Sequence, residues 1–381
     1  MTPHLRPVWA EIDLGAITRN AARLKALAGG AELCAVVKAQ AYGHGPVRAA
    51  DAALDGGATW LGVALVEEGV ALRAAGITEP VLVLSEPPHD DETWATVVRH
   101  RLTPTVYTHA AVDAAAKAVV AAGGDPLPVH VKVDTGMHRV GAAPHDAVEL
   151  ASVVHGRAEL VLDGVFTHFA VADEIDGDGV TFTDGQIAAF RRVVDALAAR
   201  GVRPRLLHAC NSAGLLAHPD ACFDLVRCGI ALYGLAPAPE LAASCTDLEP
   251  AMTVKARVSY VKPVAAGERA SYGLRYRFDR PSWVATVPIG YADGVPRSLG
   301  ASGGEVLVGG RRRPIAGTVT MDQLLVDCGD DTSVAVGDEV VLLGRQGDEV
   351  VSAWEWASRT GTIAYEIVCG ISGRVPRDWK Q

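Results

Sequence analysis

The sequence predicts an α/β chain, an eight-stranded parallel (β/α)8 barrel followed by a mainly β C-terminal domain. Three observations carry this. Eight short apolar runs alternate with Ala-rich helical stretches from residue 10 to about residue 240. Beyond that point the helical patterns fade into Val/Gly-rich strand runs, with Pro237 and Pro239 punctuating the change. No G-x-G-x-x-G follows any of the strands, so the dinucleotide-fold signature is missing and a closed, TIM-like barrel is favoured over an open sheet. A chain of 381 residues also exceeds the size at which one core keeps growing. The expected division is 1–240 for the barrel and 241–381 for the β domain, the first few residues being candidates to pack on the latter.

The eight runs are Leu33–Lys38, Trp60–Val66, Pro80–Ser85, Thr103–Thr108, Val129–Asp134, Leu162–His168, Arg205–Cys210 and Asp224–Arg227. Amphipathic stretches separate them. In 184–201 the residues Ile187, Phe190, Val194 and Leu197 share one face, with Gly201 just past the end. A similar face, Leu14, Ile17, Ala21 and Leu24, precedes the first run. The later strand runs are Met252–Val261, Trp283–Ile289, Glu305–Val308, Leu324–Asp327 and Glu339–Leu343.

Composition narrows the function. Hydrophobic residues make up 49% and charged ones 21%, an ordinary globular balance. A formal net charge of −10 argues against nucleic-acid and anionic-membrane partners, which reward basic surfaces. The one basic run, Arg311 to Arg313, follows Gly309-Gly310 and reads as a solvated β-turn. Seven scattered cysteines without a C-x-x-C pair argue against a disulfide framework and a zinc site. The acidic stretch 173–178 lacks calcium-loop spacing, so no metal is expected. The N-terminus carries no basic-then-apolar pattern and no apolar run reaches 18 residues, which makes a reducing cytoplasm the expected location.

A barrel gathers its active site at the C-terminal ends of its strands, often with a phosphate site after strands seven and eight. Strand one ends in Lys38, strand five in Asp134 with Arg139 shortly after, and strand six in Thr167-His168. Strand seven ends in Asn211-Ser212, and strand eight in Arg227 followed by Gly229. A lysine after Cys-Ala-Val-Val is costly to bury as an ammonium, and a Schiff base to an aldehyde cofactor removes that cost. The alternative is a lysine snorkelling out of a strand end. Ser212 and Gly229 fall where a phosphate would sit, and lysine with phosphate site together point to pyridoxal phosphate (PLP).

At these residues the chain resembles the alanine racemase family of barrel-type PLP enzymes. The match over 36–45, Val-Val-Lys-Ala-Gln-Ala-Tyr-Gly-His-Gly, differs from the family signature mainly by Gln40 in place of Asn. Further matches fall at Lys132 to Arg139, Thr167 to Phe169, His208 to Ser212, Arg227 to Ile230, Ser271 to Gly273, Gly290 to Gly294, Met321 to Gln323 and Ile363 to Glu366. Together they span Trp9 to Arg377.

The resemblance implies a cytoplasmic homodimer acting on a small amino acid, alanine, with each active site combining one barrel with the partner's β domain. It implies D-alanine supply for peptidoglycan synthesis. Lys38 would hold PLP and act as one base, and Tyr272 of the other subunit would act as the second on the opposite face of Cα. A free tyrosine titrates near 10, so it needs cationic help, which the family draws from His168 and Arg227. Arg227 would also face the pyridine nitrogen. Phosphate would be held by Tyr42, Ser212, Tyr365 and the backbone at Gly229 and Ile230, with Asn211 beside it. Arg139 with Met321 and Asp322 would orient the substrate carboxylate.

Alternation puts His130, Lys132 and Asp134 on one face of strand five. Lysine and arginine close together inside a barrel repel, and many family members carbamylate the matching lysine, so Lys132 is expected to be an N-carboxylysine. Departures from the family are Gln40, His138 in place of a small residue, Thr320 where Cys is frequent, and Thr318 where some members carry an arginine paired with an aspartate matching Asp173. Arg297 and Asp173 remain candidates for the outer gate of the entry corridor. His208 reads as a satisfied core histidine. Two rivals are a PLP decarboxylase for basic amino acids, which lacks the Tyr272 and Arg227 pairing, and a non-catalytic PLP-binding barrel, which lacks the β domain. A serine or broader-specificity racemase stays inside the family, and Tyr272 and Tyr365 crowding the substrate side chain favour alanine.

Overall fold

Parallel strands covered by helices on their outer face are buried on both sides, which is why they read as continuous apolar runs. The computed structural model, which describes residues 5–381, holds a strand in each of the eight runs. They are β1 (Glu32–Val36), β2 (Trp60–Val63), β3 (Val81–Val83), β4 (Thr103–Val106), β5 (Leu127–Lys132), β6 (Leu160–Phe166), β7 (Leu206–His208) and β8 (Leu225–Cys228). They form one all-parallel sheet in chain order in which β8 returns to β1. The seam between β7 and β8 is bridged at its ends: Asp224 N donates to Leu207 O at 2.9 Å and Arg227 N to Cys210 O at 3.0 Å. Cys34, Trp60, Leu82, Leu206 and Leu225 form a buried cluster inside it.

The helices between these strands start and stop where side chains can satisfy the free backbone groups. Asp90 caps 91–99 by accepting from Thr93 N, and Thr108 caps 109–122 by accepting from Ala111 N. Gly123, at φ +60°, closes the second. The long helix runs Gly177–Ala199, starting seven residues before its apolar face becomes visible in sequence. Val193 rather than Val194 completes that face with Ile187, Phe190 and Leu197.

The chain divides into two compact units. One comprises 17–41 and 46–249 and holds the barrel; the other takes the residues up to Ala16, Tyr42–Gly45 and Pro250–Gln381. In the second unit a strand at Val8–Asp13 lies between Met252–Arg257, antiparallel, and Arg377–Lys380, parallel. Residues 1–4, which the sequence also offered for packing on the β domain, lie outside the described residues. Arg311–Pro314 is a strand, not a solvated turn: it pairs with Glu305–Val308 across Gly309-Gly310, both at positive φ. Arg312 is held by Glu305, Glu349 and Glu355, and Arg313 by Asp331 and Cys328 O.

Arg6 ties the N-terminal segment of this unit to Asp293, whose carboxylate is fully buried, through Nη1 at 2.9 Å and Nη2 at 2.7 Å. Removing one partner of an enclosed ion pair strands the other, so Arg6→Met should lower stability by about 2 kcal/mol, Arg374 at 3.3 Å leaving some compensation. Urea unfolding followed by tryptophan fluorescence measures it, and an unchanged midpoint would contradict this role for the pair.

Candidate active site

Lys38 follows β1 at the C-terminal end of the barrel, and the backbone after it does something the sequence hides. Ala39, Gln40, Ala41 and Tyr42 all stand at φ between 51° and 57°, a full left-handed turn without glycine. Such positions cost about 1–2 kcal/mol each. Glu68 helps hold the turn, accepting from Ala39 N at 2.6 Å on one oxygen and from Ala64 N and Leu65 N on the other. Gly43 then lies so close to Val368 that a Cβ would sit 2.3 Å from its carbonyl oxygen. Gln40 is exposed, so its departure from Asn bears on backbone strain: asparagine enters this region more easily.

Around the same mouth the strand ends bring cations together. Arg227 is 3% exposed. Its Nη1 donates to His208 Nδ1 at 2.8 Å; its Nη2 donates to Thr167 O at 2.9 Å, Ala209 O at 3.0 Å and His168 Nδ1 at 3.2 Å. Burial lowers its pKa to about 10, which leaves it charged at neutral pH. His168 is driven well below its ordinary value by burial and then by Arg227, Lys132, Arg139 and Lys38, so it is neutral. Lys132 is 5% exposed, lies 5.6 Å from the Phe166 ring centroid, and is pushed down to about 8 by burial, Arg227 and Arg139. Asp134 opposes that shift but is already engaged by Gly136 N, His138 N and the exposed His138 ring.

After β7 and β8 the chain builds a cradle. Ser212 Oγ accepts from Gly229 N at 3.0 Å and Ala231 N at 3.4 Å, and Ile230 opens the short turn between them. Asn211 uses its side-chain oxygen to cap the following helix at Gly214 N. Gln186, missed in the sequence, accepts from Ala170 N and donates to His168 O and Thr135 Oγ1, fixing the loop that carries His168.

The remaining candidates lie in the β unit. The Tyr42 and Tyr365 rings stand 6.2 Å apart. Tyr272 is 69% exposed on a turn where Ser271, Gly273 and Leu274 all have positive φ. Thr318 secures that turn from both ends: its hydroxyl donates to Tyr272 O at 3.1 Å and its carbonyl accepts from Ser271 Oγ at 2.5 Å. Met321 and Asp322 are exposed; Met321 O accepts from Ala292 N, and Asp322 pairs with Arg374 at 2.7 Å.

Lys38, Lys132, Arg139 and Arg227 thus share one barrel mouth with a hydroxyl-and-amide cradle, and cation exceeds anion there. That donor set fits an anionic carbonyl cofactor such as PLP: an amine for the aldehyde, and a serine with backbone amides for a phosphate. The fold and site define the class, a (β/α)8 barrel whose cation-rich mouth suits an anionic ligand. Family models for the N-terminal and C-terminal domains of alanine racemase match residues 12–237 and 251–379. The alanine racemase of Symbiobacterium thermophilum is 47% identical over 98% of this chain and 97% of its own length. The crystal structure of alanine racemase from D-cycloserine-producing Streptomyces lavendulae superposes with a TM-score of 0.91 at 41% identity, covering 100% of this chain and 98% of that one. The Bacillus anthracis enzyme, solved with bound L-Ala-P, gives a TM-score of 0.90 at 40% identity over 100% of this chain and 96% of its own. The chain belongs to the alanine racemase family of PLP-dependent amino-acid racemases.

The lowered pKa of Lys132 makes the stability of the fold depend on pH. A lysine at about 8 when folded and near 10.4 when unfolded costs stability at every pH below 8, and the cost fades between 8 and about 10.5 as the unfolded chain also loses its proton. In CO2-free buffer Lys132→Met should therefore be more stable than the parent at pH 7, with the gap closing toward pH 10.5. A gap independent of pH in denaturant melts would contradict the shift.

Proposed function

We propose that this chain interconverts L- and D-alanine with two proton carriers on opposite faces of the substrate Cα, Lys38 of one subunit and Tyr272 of its partner in a homodimer. The carrying observation is the enclosed Arg227, still charged and hydrogen-bonded to a neutral His168 beside Lys38. Bound through Lys38, PLP supplies the electron sink that acidifies the Cα–H bond. Ser212 and the amides at Gly229 and Ile230, with Asn211, Tyr42 and Tyr365, would hold its phosphate. Arg139, Met321 and Asp322 would orient the substrate carboxylate.

Each residue then has one task. Racemisation needs a proton removed from one face and another delivered to the other, and Lys38 and Tyr272 exchange these roles with direction. Arg227 would lie toward the pyridine nitrogen of the bound cofactor as a donor that does not give up its proton, which would keep the sink weak and favour return of the proton to carbon. Because His168 Nδ1 accepts from Arg227, its proton sits on Nε2, where it can donate to a tyrosinate. The exposed Tyr272, Leu274, Tyr291, Met321 and Ile363 support a dimer built on the β unit. No helix among the described residues is long and apolar enough to cross a membrane, and D-alanine supply for peptidoglycan in the cytoplasm is the role this activity would serve.

Lys132 completes the site as an N-carboxylysine. A lysine near 8 is partly neutral at physiological pH and can add CO2, and the anion so formed would sit among Arg139, Arg227 and Lys38. Equilibration with 13C-bicarbonate should give a carbamate carbon resonance that Lys132→Ala lacks; identical spectra would contradict the modification.

Purified protein should show a visible absorption band that Lys38→Ala loses. Co-expressing Lys38→Ala with Tyr272→Phe should restore L- to D-alanine conversion, because mixed dimers contain one site with both residues intact. No restoration in verified mixed dimers would place both residues in one subunit's site. A band accompanied only by CO2 release would point to a decarboxylase.

A further inference from the structure

Arg227 has no carboxylate within ion-pair reach among the described residues, yet it is enclosed. A guanidinium only donates, so His208 Nδ1 must accept at 2.8 Å, and the His208 proton must sit on Nε2. That nitrogen lies 2.8 Å from His130 Nδ1, which must accept in turn. The His130 proton is thereby placed on Nε2, 3.3 Å from Asp163 Oδ2. Burial lowers the pKa of both imidazoles, which keeps them neutral. The string ends on a carboxylate at the opposite end of the barrel, where Arg205 donates to Asp163 at 2.8 and 3.0 Å and reaches Glu32 at 3.3 Å.

The surroundings fit this string closely. Phe166 stacks on His208 with centroids 4.5 Å apart and planes 5° from parallel, and Trp60 lies 5.4 Å from His130. Gly164 on β6 leaves the space through which the string passes: a Cβ there would fall 2.5 Å from His130 Nδ1. The β5–β6 register shifts between Val129 and His130, next to this approach. Every donor in the string points from Arg227 toward Asp163, with no position left for a reversed hydrogen bond.

We propose that Asp163 is a positioning residue for Arg227, its negative charge relayed along the inside of the barrel through His130 and His208 to hold the guanidinium oriented at the opposite, catalytic end. The catalytic part of this inference rests on the role given to Arg227 above, whereas the tautomers do not.

The test compares Asp163→Asn with Glu32→Gln, which removes a carboxylate at the same end but outside the string. Histidine side-chain 15N spectra, assigned with His130→Gln and His208→Gln, should show bare Nδ1 and protonated Nε2 on both rings in the parent and in Glu32→Gln. In Asp163→Asn the His208 signals should move and kcat should fall about tenfold with KM little changed, and Asp163→Glu should recover part of the loss. Parent-like His208 signals and kcat in Asp163→Asn, or a proton on His208 Nδ1 in the parent, would overturn the proposal. If Asp163→Asn does not fold, Gly164→Ala displaces His130 without removing the charge and must move the same signals. Parent spectra as expected in a protein that fails to racemise alanine would count against the functional reading and leave the relay standing.

Discussion

Arg227, a guanidinium enclosed at the mouth of a barrel with no carboxylate beside it among the described residues, constrains what surrounds it. It can only donate, so two imidazoles and two carbonyls must accept from it. His168 is thereby kept neutral, with its proton on the nitrogen turned away from Arg227. Burial lowers the pKa of Arg227 to about 10, so the residue remains a fixed positive charge where a weaker base would titrate. The barrel provides the enclosure, since strand eight delivers Arg227 inward while the seam bonds to strand seven hold it in register.

The same constraint explains why the mouth calls for anions. Lys38, Lys132 and Arg139 add their charges to that of Arg227, and Asp134, the carboxylate that offsets them at Lys132, is engaged by its own loop. An anionic cofactor, an anionic substrate group and a carbamate on Lys132 would each relieve the excess. Electrostatic preorganisation of this kind favours groups whose negative charge grows as a carbon acid is ionised. The strained turn after Lys38 follows the same logic: it fixes the backbone beside the amine at a cost met by Glu68 and the tight packing at Gly43.

Much of the fold was legible because the physics behind it is local. Eight buried parallel strands must be apolar and β-branched, so each run overlaps its strand. The strand at Val8–Asp13 and the one at Arg311–Pro314 were not legible in the same way. The partners of the first lie hundreds of residues away; the second pairs with its neighbour Glu305–Val308, but three arginines in a row look solvated until Glu305, Glu349 and Glu355 are seen around Arg312. In the site, Lys38, Lys132, Arg139, His168, Ser212 and Arg227 could be named from strand ends and from resemblance. The left-handed turn could not, since Ala-Gln-Ala-Tyr has ordinary helical propensity. Alternation did place His130 on the face of Lys132, but a glycine one strand over, at Gly164, decides that its ring reaches His208.

If two groups on opposite faces handle the proton, the hydrogen removed from carbon is not the one delivered to product. Racemisation of α-deuterated alanine in ordinary water, stopped within the first turnover, tests this most directly. With Lys38 and Tyr272 on opposite faces, the product should carry protium at Cα in both the L to D and D to L directions. Product that retains the substrate's deuterium would mean one base serving both faces, and would contradict the roles given to Lys38 and Tyr272.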